Sequence, residues 1–376
     1  MNTPHLNPRF LEALKQALDG FPTPFYAYDL TVLEEEAEAL RKAFPKARFF
    51  FALKANPALL PQIKALGFGA EAVSAGEVER ALGVGLSPEE IVWNGPVKTP
   101  WALQRFQDRP PVTVLDSEAD LLRVSRHLKG AQVLLRVNPD LPVRTHGHLA
   151  TGRGESQFGV LPQKLPGFLR RAEGLGLLVL GLHLHLGSGL DRAEDFLEGY
   201  AVLQRLRTAV GPQRVLNLGG GFGLDLPLGP LGPAMEDLAR LYGAKIWLEP
   251  GRRLVAGSGV LVTRIWGVKR TRKTYLLLDA GMTSFLRPLL YGARHPVLPL
   301  YQSEKEAVFD LAGPACEAAD VLARGVRLPV PKEGEALVFL LAGAYGASMA
   351  MPYLDTPRPL ELAWDGSGWR VLDFCY

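Results

Sequence analysis

The sequence predicts an α/β protein built on a closed (β/α)8 barrel, followed by an antiparallel β domain. From about residue 49, short apolar runs alternate with longer amphipathic segments, the pattern of parallel βαβ units whose strands are covered on both faces. After about residue 258 the texture changes to β-rich runs separated by Gly, Pro and polar turns. With 376 residues, 47% of them hydrophobic, the chain is long enough to build two cores.

Eight apolar runs supply the barrel strands: Phe49–Leu53, Ala70–Ser74, Ile91–Asn94, Val112–Leu115, Gln132–Val137, Leu177–His185, Arg214–Leu218 and Lys245–Glu249. Segments such as Leu59–Leu66, Gly76–Leu82, Glu118–His127, Leu161–Glu173 and Arg192–Val210 carry apolar residues at helical spacing and supply the outer helices. The later runs Val260–Val268, Tyr275–Asp279, Ala307–Leu311, Ala336–Leu341 and Trp369–Phe374 form the β domain, which the early strand-like stretch Pro24–Asp29 could join. The expected division is a barrel over residues 26–258 and a discontinuous β domain over 1–25 and 259–376.

Charge and cysteine content exclude several classes of function. The 42 basic and 39 acidic residues leave a formal charge of +3 with no basic run to track a phosphate backbone, so nucleic acid is not an expected partner. The N-terminal segment lacks the basic-then-apolar order of a secretory signal, and no apolar run has the length of a membrane span. A cytoplasmic protein is expected. Cys316 and Cys375 are too few for a disulfide framework and wrongly spaced for a zinc cluster, so no metal is expected.

Barrels of this kind work at the C-terminal ends of their strands. Here those ends are polar and glycine-rich: Lys54; Ser74 and Glu77; Arg136 and Asn138; His183, His185, Gly187 and Ser188; Gly219, Gly220 and Gly221; Glu249, Gly251 and Arg252. A lysine after an apolar strand is more often a snorkelling rim residue, but at a barrel mouth desolvation and nearby cations prepare an amine for Schiff-base chemistry. A glycine triplet is usually a turn. After strand seven, however, it stands where barrels commonly bind phosphate through backbone N–H groups. His183 and His185 alternate along one strand and share a face, which suggests a metal pair, yet no carboxylate or cysteine accompanies them in sequence. A flat imidazole stacked on an aromatic cofactor is the other reading.

Taken in order, TPFYAYD, FALKAN around Lys54, HLHLGSG, GGGFG at 219–223 and EPGR at 249–252 make the chain similar to fold-type III pyridoxal 5'-phosphate (PLP) decarboxylases, over essentially its whole length. The resemblance implies the alanine racemase-like two-domain fold, with Lys54 as the Schiff-base lysine and His185 stacked on the pyridine ring. It implies Glu249 at the ring nitrogen, and Ser188, the glycine loop, Gly251 and Arg252 at the phosphate. DAGM with RPLLYGARH, GPACE and GAYGASMA resemble the members acting on meso-2,6-diaminopimelate, giving L-lysine and CO2. That implies Arg287, Tyr291 and Arg252 on the distal carboxylate, Cys316 as proton donor, Glu317 on the distal amine and Tyr345 touching PLP and substrate. It also implies a homodimer in which Cys316 and Glu317 complete the partner's site. NPDLPVRTHGHLATG and the following QFG also fit, whereas Glu71 replaces a usual aspartate, Gln157 a lysine, CEAAD lacks a polar residue and YLDTPRP departs from a tyrosine-asparagine-arginine run.

The competing readings differ chemically. The resemblance places an arginine in racemases of this fold where Glu249 stands, and an ornithine or arginine pocket would need acid where Arg287 stands. A non-catalytic PLP-binding relative would be expected to have lost Lys54 or the β domain. A nicotinamide oxidoreductase would place its glycine fingerprint after the first strand of the fold.

Overall fold

The computed structural model describes residues 6–141 and 155–372, so most of the NPDLPVRTHGHLATG stretch and the end of the run Trp369–Phe374, with Cys375, lie outside the described residues. The chain divides into two compact units: one runs from Ala37 to Arg253, and the other joins the chain up to Glu36 with the chain from Leu254 onward. The sequence placed these divisions at 25/26 and 258/259. The first strand, β1 (Phe25–Asp29), pairs on both edges with strands of the second unit and is counted with it.

The unit from Ala37 to Arg253 is a closed parallel barrel of eight strands: β2 (Arg48–Ala52), β3 (Gly69–Ala72), β4 (Ile91–Trp93), β5 (Val112–Leu115), β6 (Gln132–Val137), β7 (Leu178–Leu184), β8 (Val215–Asn217) and β9 (Lys245–Leu248). β9 closes back on β2 through Arg48↔Trp247 and Phe49↔Leu248. Alternation explains the apolar runs. Phe50, Val92, Val112, Val114, Leu134, Leu180, Val215 and Trp247 form one buried cluster, with the Phe50 and Trp247 rings 4.7 Å apart. Outward residues such as Phe49 meet the surrounding layer instead, Phe49 stacking on Phe68 at 5.1 Å. Burying a side chain of this size contributes about 1.5–3 kcal/mol, and both faces do so. Gly181 is required where β7 bulges against β6, because a Cβ there would collide with the Val215 carbonyl.

The surrounding helices include Ala75–Gly83, capped by Ser74 accepting from the Glu77 N–H, and Glu118–His127, capped by Ser117 accepting from the Asp120 N–H. The helix Leu231–Tyr242, absent from the sequence expectation, buries Leu231, Met235, Leu238 and Tyr242 at helical spacing and ends on the left-handed Gly243.

The second unit is a curled sheet. Its remaining strands are β10 (Gly259–Arg270), β11 (Thr274–Leu278), β12 (Val297–Pro299), β13 (Glu306–Ala312), β14 (Val321–Pro329), β15 (Ala336–Phe339), β16 (Leu360–Trp364) and β17 (Trp369–Val371), in the order β14-β13-β11-β10-β1-β16-β17 with β15 joining β10 and β12. The sheet is mixed where an antiparallel one was expected: β1 runs parallel to β16, and β11 parallel to β13. One face packs on the helix Pro8–Gly20, which buries Phe10, Ala13, Leu14 and Ala17 against Phe25, Val260, Val338 and Trp364. That helix also went unforeseen, although Asn7 caps it and Pro8 opens it. Among the described residues no helix is long and apolar enough to cross a membrane.

Candidate active site

The expected barrel residues gather at the C-terminal ends of the strands. Lys54 stands on the tight turn Leu53–Ala55 directly after β2, and the Ala52 N–H donates to the Pro250 carbonyl at 3.1 Å, tying this turn to the end of β9. Its Nζ is paired with Glu71 Oε2 on β3, in register with Ala52. Glu71 is 1% exposed, and its Oε1 is buried with no hydrogen-bond partner among the described residues. Burial pushes the Glu71 carboxyl up to about 7, with the Glu249 charge adding and the Lys54 ammonium opposing.

Glu249 follows β9 and is nearly as buried. Its Oε1 accepts from Asn217 Nδ2 at 2.7 Å, and its Oε2 lies 3.2 Å from His183 Nε2. Burial alone would raise this carboxyl. His183, Lys54 and His185 outweigh it and hold the group down to about 2, so the site keeps a fixed negative charge. Asn217 also turns Oδ1 to the Gly219 N–H at 2.9 Å, so one side chain ties the carboxylate to the glycine loop.

The loop admits no side chain. Gly219 and Gly221 sit at φ +67° and +91°, and a Cβ on Gly220 or Gly221 would collide with the carbonyl of Glu249 or Gly187. His185 faces this loop, its Nδ1 taking the Gly220 N–H at 3.4 Å. Desolvation, then the charges of Arg136 and Lys54, lower His185 to about 3, so the ring is neutral at any ordinary pH. Arg252 Nη2 donates to Ser188 Oγ at 3.2 Å, and Gly251 packs closely on Ala52 and Ala55, so that a Cβ there would press them aside by a few tenths of an ångström. His183 serves Glu249 and Asn94, and among the described residues no group of three His, Cys, Asp or Glu could hold a metal ion.

The other expected residues belong to the second unit. Arg287, only 9% exposed, lies 5.9 Å from the Tyr291 ring and 5.8 Å from the Tyr345 ring, a cation flanked by two phenols. Tyr345 holds φ +58°, a conformation that non-glycine residues adopt at a cost. Cys316 is an exposed free thiol, and the neighbouring Glu317 accepts from the Tyr353 hydroxyl at 2.8 Å, which raises that phenol's pKa.

Sequence reasoning passed over Glu71 as a site residue, along with Asn217 and Asn94. The usable signal was a polar residue within or directly after an apolar strand, in GAEA, VLNL and IVWN. Together the barrel residues offer a primary amine, a permanently ionised carboxylate, a neutral imidazole, and a glycine turn beside a guanidinium and a hydroxyl. That set fits a planar aldehyde with a basic ring nitrogen and a phosphate, which is PLP.

Comparison with known proteins agrees. Residues 30–256 match the family model described as pyridoxal-dependent decarboxylase, pyridoxal binding domain. The chain is 44% identical over 362 residues to a diaminopimelate decarboxylase of Deinococcus radiodurans, covering 96% of this chain and 95% of that one. It is 35% identical to one from Aquifex aeolicus, over 96% and 91% of the two chains. The crystal structure of diaminopimelate decarboxylase from Helicobacter pylori complexed with L-lysine superposes with a TM-score of 0.90 at 31% identity, covering 96% of this chain and 95% of that one.

Proposed function

The chain belongs to the diaminopimelate decarboxylases, a family of PLP-dependent enzymes, and from that premise we propose that it converts meso-2,6-diaminopimelate to L-lysine and CO2. The observation that carries the chemistry is Glu249, a carboxylate kept ionised between Asn217 and His183 at the barrel mouth that also holds Lys54. PLP held there supplies the electron sink for the pair left behind when CO2 departs. Lys54 is assigned its covalent attachment, His185 a face of its ring, Glu249 the ring nitrogen, and Ser188, Gly219–Gly221, Gly251 and Arg252 its phosphate. A negative Glu249 favours a protonated ring nitrogen. This suits decarboxylation, whereas a racemase of this fold carries arginine there.

Substrate choice is assigned to the second unit. Arg287 and Tyr291 offer a buried cation and a phenolic donor, which suit a distal carboxylate and would repel the distal cation of ornithine or arginine. Tyr345 is assigned contact with both cofactor and substrate. The α-carbon that loses CO2 needs one proton, and Cys316 Sγ is assigned to supply it. Glu317 is assigned the distal amine. We read the functional unit as a homodimer in which Cys316 and Glu317 serve the Lys54-bearing barrel of the partner, a reading supported by their exposure on the single chain. A cytoplasmic location accords with a chain of two cysteines.

The test is CO2 release from a panel of meso-diaminopimelate, L-lysine, L-ornithine and L-arginine. Release from the first far above the rest is expected. A preference for ornithine or arginine would overturn the substrate assignment, and no release from any would overturn the enzymatic one.

A further inference from the structure

Among the buried carboxylates outside the residues assigned to cofactor or substrate, Asp120 is answered by the Lys98 ammonium at 2.9 Å. Asp320, 2% exposed, forms no ion pair among the described residues and takes backbone N–H groups instead. It closes the turn 313–320 between β13 and β14, next to the pair Ala312↔Val321, and it is buried where the other residues of the turn are half-buried or exposed. Its Oδ2 accepts the Ala315 N–H at 2.9 Å, and its own N–H donates to the Glu317 carbonyl at 3.0 Å. Those two residues flank Cys316. The Gly313 N–H donates to the Asp320 carbonyl at 2.9 Å, and Asp320 Oδ1 accepts the Met282 N–H at 2.6 Å, from the segment that follows β11. A Cβ on Gly281 or Gly313 would come within 2.5 or 2.2 Å of Asp320 Oδ2, so DAGM and GPACE each carry glycine where this carboxylate needs the room.

We propose that Asp320 is a positioning residue for the reaction: its carboxylate fastens the 313–320 turn to the DAGM segment and so fixes where the Cys316 thiol can deliver a proton. The inference rests on the reading of Cys316 as the proton donor. Cys316 is exposed on this turn, so its place is set by the backbone that carries it, and that backbone is tied to Asp320 on both sides of the thiol. A donor must stand within reach of the atom it protonates, which makes the anchor matter to the chemistry. A carboxylate offers both oxygens as acceptors and so can hold N–H groups from two segments at once. Asparagine has the same shape but keeps one acceptor, and it turns an NH2 towards the other N–H, donor against donor.

The test compares wild type, D320N, C316A and the double variant as holoenzymes, by amide hydrogen exchange and by kcat per bound PLP and KM for meso-diaminopimelate. D320N is expected to speed exchange at the Ala315 or Met282 amide. It is expected to lower kcat roughly ten- to hundredfold, the order of loss when a reacting group is misplaced by about an ångström, with KM within about threefold of wild type. The double variant is expected to be no slower than C316A, because both changes act through one thiol. A carboxylate that merely stabilised the fold would lower Tm and leave kcat per bound PLP unchanged. That result overturns the proposal, as does a D320N loss that adds in full to that of C316A. Should D320N not fold, exchange in wild type decides: a protected Ala315 amide supports the anchor, and one exchanging at the rate of an unstructured peptide overturns it. If C316A alone keeps the wild-type kcat, the proton-donor reading fails instead, and the exchange rates still decide whether Asp320 holds the turn.

Discussion

Replacing Glu249 by glutamine removes one charge and almost no volume. Asn217 tolerates the change, its Nδ2–H donating to the glutamine Oε1, while the glutamine Nε2–H faces His183 Nε2, which can take it only by carrying its proton on Nδ1, a buried nitrogen with no hydrogen-bond partner among the described residues. Asn217 stays in place because its Oδ1 is committed to the Gly219 N–H. The variant should therefore fold and bind PLP. What it loses is a carboxylate that its neighbours hold down to about 2 from an ordinary 4.5. A charge-assisted hydrogen bond from a protonated ring nitrogen to that carboxylate is worth roughly 1.5–3 kcal/mol. If it supports a positive ring nitrogen during CO2 loss, kcat should fall roughly ten- to 150-fold. The assay is kcat and KM for meso-diaminopimelate, with PLP occupancy measured on the same preparations. A variant with full PLP and kcat within about threefold of wild type would refute the role assigned to Glu249.

Glu71 and Glu249 should affect stability in opposite senses. Glu71 is raised to about 7, so between about 4.5 and 7 the folded protein binds the extra proton, and the contribution of Glu71 to stability falls as pH rises. Glu71→Gln should flatten the dependence of Tm on pH over that interval, and an unchanged profile would contradict the shift. The contribution of Glu249 is present above about 4.5 and is lost as pH falls towards about 2. Arg287→Ala should lower kcat/KM for meso-diaminopimelate at least roughly tenfold, the loss expected for one charge-assisted hydrogen bond of about 1.5–3 kcal/mol, with PLP occupancy near wild type. Loss of PLP instead would reassign the residue. Lys54→Ala and Cys316→Ala homodimers should each be nearly inactive. After subunit exchange at equal amounts, about half the dimers should be hybrids and about one quarter of all sites intact, so activity should recover towards that fraction. Inactive verified hybrids would place both residues in a single chain's site.

Much of this architecture was legible because parallel strands covered on both faces write themselves as apolar runs. Val112–Leu115 and Gln132–Val137 coincide with β5 and β6, and the other six barrel strands agree within two residues at each end. Leu53 was read as strand, yet the chain turns there to present Lys54. The helices Pro8–Gly20 and Leu231–Tyr242 carried readable signals, a capped start in one and Gly243 after the other. The parallel pairing of β1 with β16 had none, because it joins Phe25 to Leu360 across almost the whole chain. In the site, residues that follow strands could be named from order alone. Glu71 could not be weighed correctly, since its importance lies in burial and in the Lys54 ammonium beside it, and neither is a property of GAEA as a string. The Lys98–Asp120 pair was invisible for the same reason: each residue reads as ordinary surface charge until the fold removes its water.

The account turns on Lys54 as the point where PLP is attached, at the end of β2 and against Glu71. Borohydride reduction of the holoenzyme, followed by proteolysis and mass mapping, tests this directly. The pyridoxyl group should be recovered on the peptide containing FALKAN, at Lys54, with one equivalent per chain and none in Lys54→Ala. Recovery on another lysine, or full labelling of the alanine variant, would contradict the site and the chemistry built on it.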